Sequence, residues 1–269
     1  MPNDSNSIAS LQYTKYGTGP TVWLALHGIG QDASCFAPFG ERLAQTHTIY
    51  SLNLPFHGPN QLATDWPDAD WPATITKPYW QRLLADFLTA HHIGRFSVAG
   101  FSMGGRFALV TAELFTERMD QLILLAPDGI TDDPWFRTAT STRAGQAVLR
   151  FMLNHTGFFH QVGTGLVKLK LLKPGLLRFA EATLKTPAQR TQIYRSWTAF
   201  HPLTIDVPTL AQRLRTQQVS VCLILGKFDA VLPAAYTQPL LRALPECRLI
   251  VLPTGHTSLV RRAADEIML

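Results

Sequence analysis

No stretch of this 269-residue chain strings together the roughly 18 uncharged apolar residues of a membrane-spanning helix, so no span is expected. Cysteine is scarce. Cys35, Cys222 and Cys247 are odd in number and far apart, and they form no metal-ligand spacing. That pattern argues against a disulfide framework or a zinc site and points to a reducing compartment, the cytoplasm. Cys222 lies in an apolar run, 219–225, and reads as a buried structural thiol. The polar start, residues 1–10, lacks an apolar core and reads as a short loose tail rather than a secretory signal. Charged residues make up 16% of the chain and hydrophobic ones 46%, the balance of a folded domain and not of a disordered chain. The length suffices for one large core, or a core with a small second unit.

Acidic residues are nearly missing from one region. Residues 134–205 hold ten Lys and Arg but only one acid, Glu181, a net +9 in a chain whose total is +5. The remainder is therefore −4, and so large an asymmetry marks a separate unit with its own job. Strand patterns are missing from the same region. Before it, short apolar runs alternate with helical periodicity. Strands are expected at 10–15, 21–27, 49–54, 96–100 and 122–125, and helices at 79–91 and 104–115. After it the rhythm returns, with strands at 219–225 and 248–252 and helices at 233–244 and 259–268. Between them the pattern gives helices at 142–153, 165–172, 174–184 and 187–200, with Pro174 and Pro187 suited to first helical positions. Strands alternating with helices imply a mostly parallel sheet covered on both faces. The simplest account is an α/β core, 1–133 and 206–269, interrupted by a helical insertion, 134–205.

The chemistry-bearing residues sit at strand ends. Gly100-Phe-Ser102-Met-Gly104 lies between a β-type run and a helical run. Small residues on either side let the backbone turn sharply and leave the serine hydroxyl projecting. A hydroxyl is a poor nucleophile near neutrality and needs a base. His256, in Pro253-Thr-Gly-His256, follows the last expected strand. Parallel strands deliver their carboxyl ends to one edge, so His256 and Ser102 can meet. A third group must orient the imidazole. Asp229, after the strand at 219–225, is favoured; Asp128, after the strand at 122–125, competes.

With these pieces the chain resembles the α/β-hydrolase superfamily over nearly its whole length. The matching motifs are His27-Gly-Ile-Gly30, Gly100-Phe-Ser-Met-Gly-Gly105, Gly226-Lys-Phe-Asp229 and Gly255-His256. The resemblance implies a central sheet of about eight strands, with a helical lid between the sixth and seventh. It implies the order Ser102, Asp229, His256 for the catalytic residues. The backbone N–H groups of Ile29 and Met103 would then receive the developing oxyanion. Asn53-Leu-Pro-Phe-His-Gly58 departs from the family's usual loop at that place, so His57 receives no role, and His27 is read as shaping its loop.

The expected activity is hydrolysis of a carboxylic ester or thioester through an acyl-enzyme on Ser102. The alternatives are a carbon–carbon bond hydrolase or lyase, and a ligand-binding protein with little turnover. Serine at the elbow disfavours the dehalogenase and epoxide hydrolase relatives, which carry aspartate there. No cofactor and no metal are expected. The expected partner is a small acyl substrate, which the basic insertion would accommodate in anionic or carrier-linked form. Neither nucleic acid nor stable membrane insertion is expected, although transient contact with an anionic membrane stays open; the sequence does not give the oligomeric state. Asp65-Trp-Pro-Asp68-Ala-Asp70-Trp lacks the glycine and terminal glutamate of an EF-hand loop and reads as a solvated or lid-facing loop.

Overall fold

A computed structural model describes residues 11–58, 74–131 and 134–266. Seven strands form one sheet: β1 (Tyr13–Tyr16), β2 (Thr21–Leu26), β3 (His47–Leu52), β4 (Phe96–Phe101), β5 (Met119–Leu125), β6 (Ser220–Gly226) and β7 (Arg248–Leu252). Their spatial order is β1-β3-β2-β4-β5-β6-β7. The antiparallel edge strand β1 pairs with β3, and all other pairings are parallel.

The inner strands are apolar at nearly every position because both faces are buried. Leu24, Leu26, Val98, Leu122, Leu124 and Leu223 point to one core. Their neighbours Trp23, Ala25, Ala99, Ile123, Leu125 and Cys222 point to the other. The first core is closed by α2 (Lys77–Ala90), α3 (Met103–Phe115), α9 (Val207–Thr216) and α10 (Gln238–Ala243) through Trp80, Phe107, Leu210 and Leu240. The second is closed by α1 (Ala37–Leu43) and α11 (Leu259–Glu266) through Phe39 and Leu259. Fully burying a side chain of this size contributes about 1.5–3 kcal/mol, which is why the two faces fix the strand register.

Between β5 and β6, before α9, run α4 (Pro134–Ser141), α5 (Arg143–Asn154), α6 (Thr156–Lys168), α7 (Pro174–Thr183) and α8 (Pro187–Phe200). No strand interrupts them among the described residues. They share a small cluster, Leu153, Leu184 and Ile193, with Leu149, Phe159 and Trp197 packed around it. Pro174 and Pro187 do open α7 and α8, and Thr186 and Gln189 close a capping box at the start of α8.

Several details differ from the sequence reading. Seven strands are described where about eight were expected, so the helices fall between the fifth and sixth; residues preceding Leu11 lie outside the described ones. The helix expected at 165–172 is instead α6, some nine residues earlier. The apolar run 166–172 faces solvent rather than a core, and Lys170 breaks the helix with φ 58°. The helix expected at 233–244 is a single turn followed by α10. The acidic stretch with Asp65, Asp68 and Asp70 lies outside the described residues.

The topology creates the site. The chain leaves β2 to build β3 on one side of it, then crosses back to build β4 on the other side and moves on from there to β5. The loops after β2 and β4 therefore diverge and leave a crevice at the carboxyl ends of the strands.

Candidate active site

Ser102 occupies the turn between β4 and α3 with φ 52° and ψ −121°, a conformation costly for a residue with a Cβ. The tightness of the turn requires glycine on both sides. A Cβ on Gly100 would meet Gly104 O at 2.5 Å, and one on Gly104 would meet Leu26 O at 2.0 Å. The turn is pinned further by Ser102 N–H donating to Leu125 O at 3.0 Å and by Asp128 N–H donating to Ser102 O at 2.9 Å.

Asp229 follows β6 in a turn closed by its own N–H on Gly226 O at 3.1 Å. Its Oδ1 accepts the N–H groups of Val231 and Leu232 at 2.8 and 2.9 Å. That leaves Oδ2 for His256, whose Nδ1 donates to it at 2.6 Å. A carboxylate that only accepts fixes the proton on Nδ1, so Nε2 is free to accept the Ser102 hydroxyl at 3.0 Å. The side chains of Asp229 and His256 are 1% and 5% exposed. In that dry setting the three hydrogen-bonded groups hold one another in a single geometry. Phe101 lies against the imidazole with ring centroids 4.9 Å apart, and Phe179 of α7 meets it edge-on at 5.5 Å. The structure thus brings Ser102, Asp229 and His256 together.

The competing carboxylate has other work. Asp128 is paired with Arg106, one turn into α3, through contacts of 2.8 and 3.2 Å. Arg106 in turn donates to Leu203 O at 3.1 Å and ties the pair to the end of the helical segment.

The loop after β2 is held by two histidines whose partnership the sequence reading missed. His27 donates from Nδ1 to Gly28 O at 2.8 Å and accepts Leu54 N–H on Nε2 at 3.1 Å. His57 donates from Nδ1 to Pro55 O at 2.9 Å and accepts Gly30 N–H on Nε2 at 3.1 Å. Each ring meets one carbonyl and one N–H, so the neutral form satisfies both nitrogens. Burial pushes His27 down to about 3, helped by the neighbouring His57, and burial pushes His57 down to about 4. The loop they hold carries Ile29. Among the described residues neither the Ile29 nor the Met103 N–H is paired, and Met103 opens α3, where the helix dipole is positive.

Two cavities meet at Ser102. One, of about 290 Å³, is walled by Met103, Phe136, Leu176, Trp197, Phe200 and Leu232, with Arg106 and Asp128 also lining it. The other, of about 210 Å³, is lined by Gly28, Gln31, Thr183, Gln189, His256 and Thr257. Phe179 stands in both walls. Phe136 of α4 and Trp197 and Phe200 of α8 were not singled out in the sequence, because no local pattern says which face of a helix covers a cavity. No group of three His, Cys, Asp or Glu side chains among the described residues is arranged to hold a metal ion.

Comparison with known proteins adds relatives to this geometry. The model of the Alpha/beta hydrolase family matches residues 23–268. A pimeloyl-[acyl-carrier protein] methyl ester esterase of Nitrosomonas europaea is 28% identical, over 93% of this chain and 93% of the relative. An uncharacterised protein of Mycobacterium tuberculosis is also 28% identical, over 89% of this chain and 71% of its own. Among solved structures, a thermophilic esterase from Thermogutta terrifontis superposes with a TM-score of 0.64 at 20% identity, covering 96% of this chain and 91% of that one.

Proposed function

The chain belongs to the alpha/beta hydrolase family, and from that premise we propose that it hydrolyses a carboxylic ester or thioester through an acyl-enzyme on Ser102. The observation that carries this reading is His256 hydrogen-bonded on both sides, to Asp229 at 2.6 Å and to Ser102 at 3.0 Å. The relatives named as esterases support the same reaction class.

His256 takes the Ser102 proton at Nε2 as the oxygen attacks the acyl carbon. Asp229 holds the imidazole and stabilises its charged form. The unpaired N–H groups of Ile29 and Met103 receive the carbonyl oxygen as it becomes negative, and losing one such donor typically costs about 10² to 10³ in rate. His256 then gives its proton to the leaving group. The cavity that contains His256, with its glutamines and threonines, suits a polar leaving group. The larger, aromatic-walled cavity suits the acyl chain. Water admitted from the leaving-group side, activated by the same imidazole, frees the acid.

Residues 134–205 act as a cap on a core formed by 1–133 and 206–269. Support comes from Phe136, Leu176, Phe179 and Trp197, which extend from this segment over Ser102. The +9 charge of the cap favours an anionic substrate. The cytoplasm suits three unpaired cysteines, two of which burial makes inert by raising Cys35 to about 12 and Cys247 to about 11.

A fluorophosphonate probe tests the proposal. It should label folded protein stoichiometrically at Ser102, and Ser102→Ala should abolish labelling without loss of fold. An activated ester should show a burst of released alcohol, the mark of an accumulating acyl-enzyme. Folded protein that resists the probe would overturn the reading.

A further inference from the structure

The helical segment turns a strip of apolar side chains to solvent. Phe158, Val162 and Leu166 are spaced by four along α6 and so share one face, and they are 48%, 37% and 37% exposed. On α5, Val148 and Phe151 are exposed as well. Phe151 meets Phe158 edge-on with ring centroids 5.8 Å apart, which joins the rows of the two helices. The turn after α6 adds Leu169 and Leu171, 69% and 73% exposed. Single surface hydrophobics are ordinary, but a contiguous row rimmed by polar groups marks an interaction site.

The rim here is basic. Lys168, Lys170 and Lys173 are exposed and alternate with the two bare leucines. The one acid of the segment, Glu181, is engaged by His160 at 2.6 Å. No helix among the described residues is long and apolar enough to cross a membrane, so any lipid contact made by this strip is peripheral.

We propose that this strip docks the protein on an anionic lipid surface. Phe158, Val162, Leu166, Leu169 and Leu171 enter the boundary between headgroups and acyl chains. Lys168, Lys170 and Lys173 lie at the phosphates, their stems running along the apolar layer and their ammonium groups in the headgroup region. An acidic protein would pair the lysines but would set charge against the leucines between them. A lipid interface offers both environments a few ångströms apart, in the order the side chains need. The geometry also connects to the cavity. α7 begins directly after Lys173 and carries Leu176 and Phe179 into the wall beside Ser102, so the docked face lies one helix from the acyl cavity. The inference stands on the strip alone and does not depend on the hydrolytic reading.

Co-sedimentation of the full chain with phosphatidylglycerol and with phosphatidylcholine vesicles tests it. Binding to phosphatidylglycerol should exceed binding to phosphatidylcholine by about tenfold or more at low salt, and fall as salt rises. Phe158→Ser/Val162→Ser/Leu166→Ser should weaken it about tenfold with all charges intact. Lys168→Gln/Lys170→Gln/Lys173→Gln should weaken it similarly and remove most of the salt dependence. Circular dichroism and turnover of a water-soluble activated ester should match the unaltered protein in both variants. Should the triple serine variant not fold, Leu171→Gln, in the turn, carries the apolar arm with a smaller loss of binding. Wild-type protein that binds neither vesicle overturns the proposal, as does an apolar variant that binds as well as wild type. Self-association lost in the apolar variant would assign the strip to a second copy of the chain. Binding of an acyl-carrier protein that vesicles do not displace would assign it to a protein partner. Either result overturns the proposal.

Discussion

The sheet with its flanking helices and the segment 134–200 are made from similarly apolar sequence, and they use it for opposite ends. β2, β4 and β5 alternate side chains into two cores, and residues such as Leu24, Ala99 and Leu124 are almost wholly buried. The helical segment has a small core cluster of its own, around Leu153, Leu184 and Ile193, and leaves Trp135 at 86% exposure and Leu171 at 73%. In the first region apolar burial offsets the conformational entropy lost on folding. In the second, much of it faces a cavity or solvent. Ser102, Asp229 and His256 all sit on loops of the first region, while the aromatic walls around them come largely from the second. Reactivity should therefore follow the core, and substrate choice and surface contacts should follow the helices.

The largest expected effect breaks the chemistry without touching either region's packing. Asp229→Asn should lower kcat by about 10⁴, because the imidazole loses its orienting acceptor. Asp128→Asn should keep kcat within about tenfold and instead cost about 1–3 kcal/mol of stability, since the carboxylate it removes holds Arg106. Steady-state kinetics and denaturant melts on the two variants separate these outcomes. A near-normal rate in Asp229→Asn, together with collapse in Asp128→Asn, would reassign the acid. Next comes Phe107→Ala. This wholly buried ring packs between Trp80 and Phe200, and its loss should cost about 3–5 kcal/mol across the whole transition. A loss below 1 kcal/mol would mean that the core collapses around the gap.

A pH prediction follows from the two histidines behind the Ile29 loop. Both have folded-state values, about 3 for His27 and about 4 for His57, below the ordinary 6.5 of an unfolded histidine. Between those limits the unfolded chain binds more protons, so stability falls as pH drops. It should be constant with respect to these groups above about 6.5 and decline from there toward 4, by about 2 kcal/mol per histidine at pH 5. His57→Gln cannot titrate and should remove about half of that slope. Denaturant midpoints measured from pH 8 to pH 5 give the answer directly. A slope unchanged by His57→Gln would mean that the ring is not neutral in the fold.

How much of this was legible in sequence also divides along the two regions. The strands of the core announced themselves, since a strand buried on both faces is a short unbroken apolar run. The turn at Ser102 was legible because only glycine fits at 100 and 104. What depends on contact across the chain was not. The contacts that set Asp128 apart from the favoured Asp229, Arg106 on the former from 22 residues away and His256 on the latter from 27, leave no local pattern. The hold of His57 on Gly30 spans 27 residues and leaves no local mark. α9 went unread because its apolar positions, Val207, Leu210, Ala211 and Leu214, are diluted by arginines and a proline. α6 was misplaced because its apolar face meets solvent, where the rule that apolar residues point to a core gives the wrong phase.

The smallest expected effect sharpens the comparison most. Ile193 is 2% exposed at the centre of the small cluster, and Ile29 packs against that cluster. Ile193→Ala should cost about 1–2 kcal/mol, less than such a change in a large rigid core, because so few neighbours lose contacts. The cost should be local. Amide exchange should quicken within 134–200, while the strands keep their protection. Trp197, one turn further along α8, lines the acyl cavity, so KM for bulky acyl esters should rise. The kcat for a short ester should change by no more than about two- to threefold, the amount a slightly looser Ile29 loop would cost. If the midpoint of the whole protein moved instead, as Phe107→Ala should move it, the helices and the sheet would form one cooperative unit. The division of labour between stability and substrate choice would then be a property of the side chains alone and not of two separately stable regions.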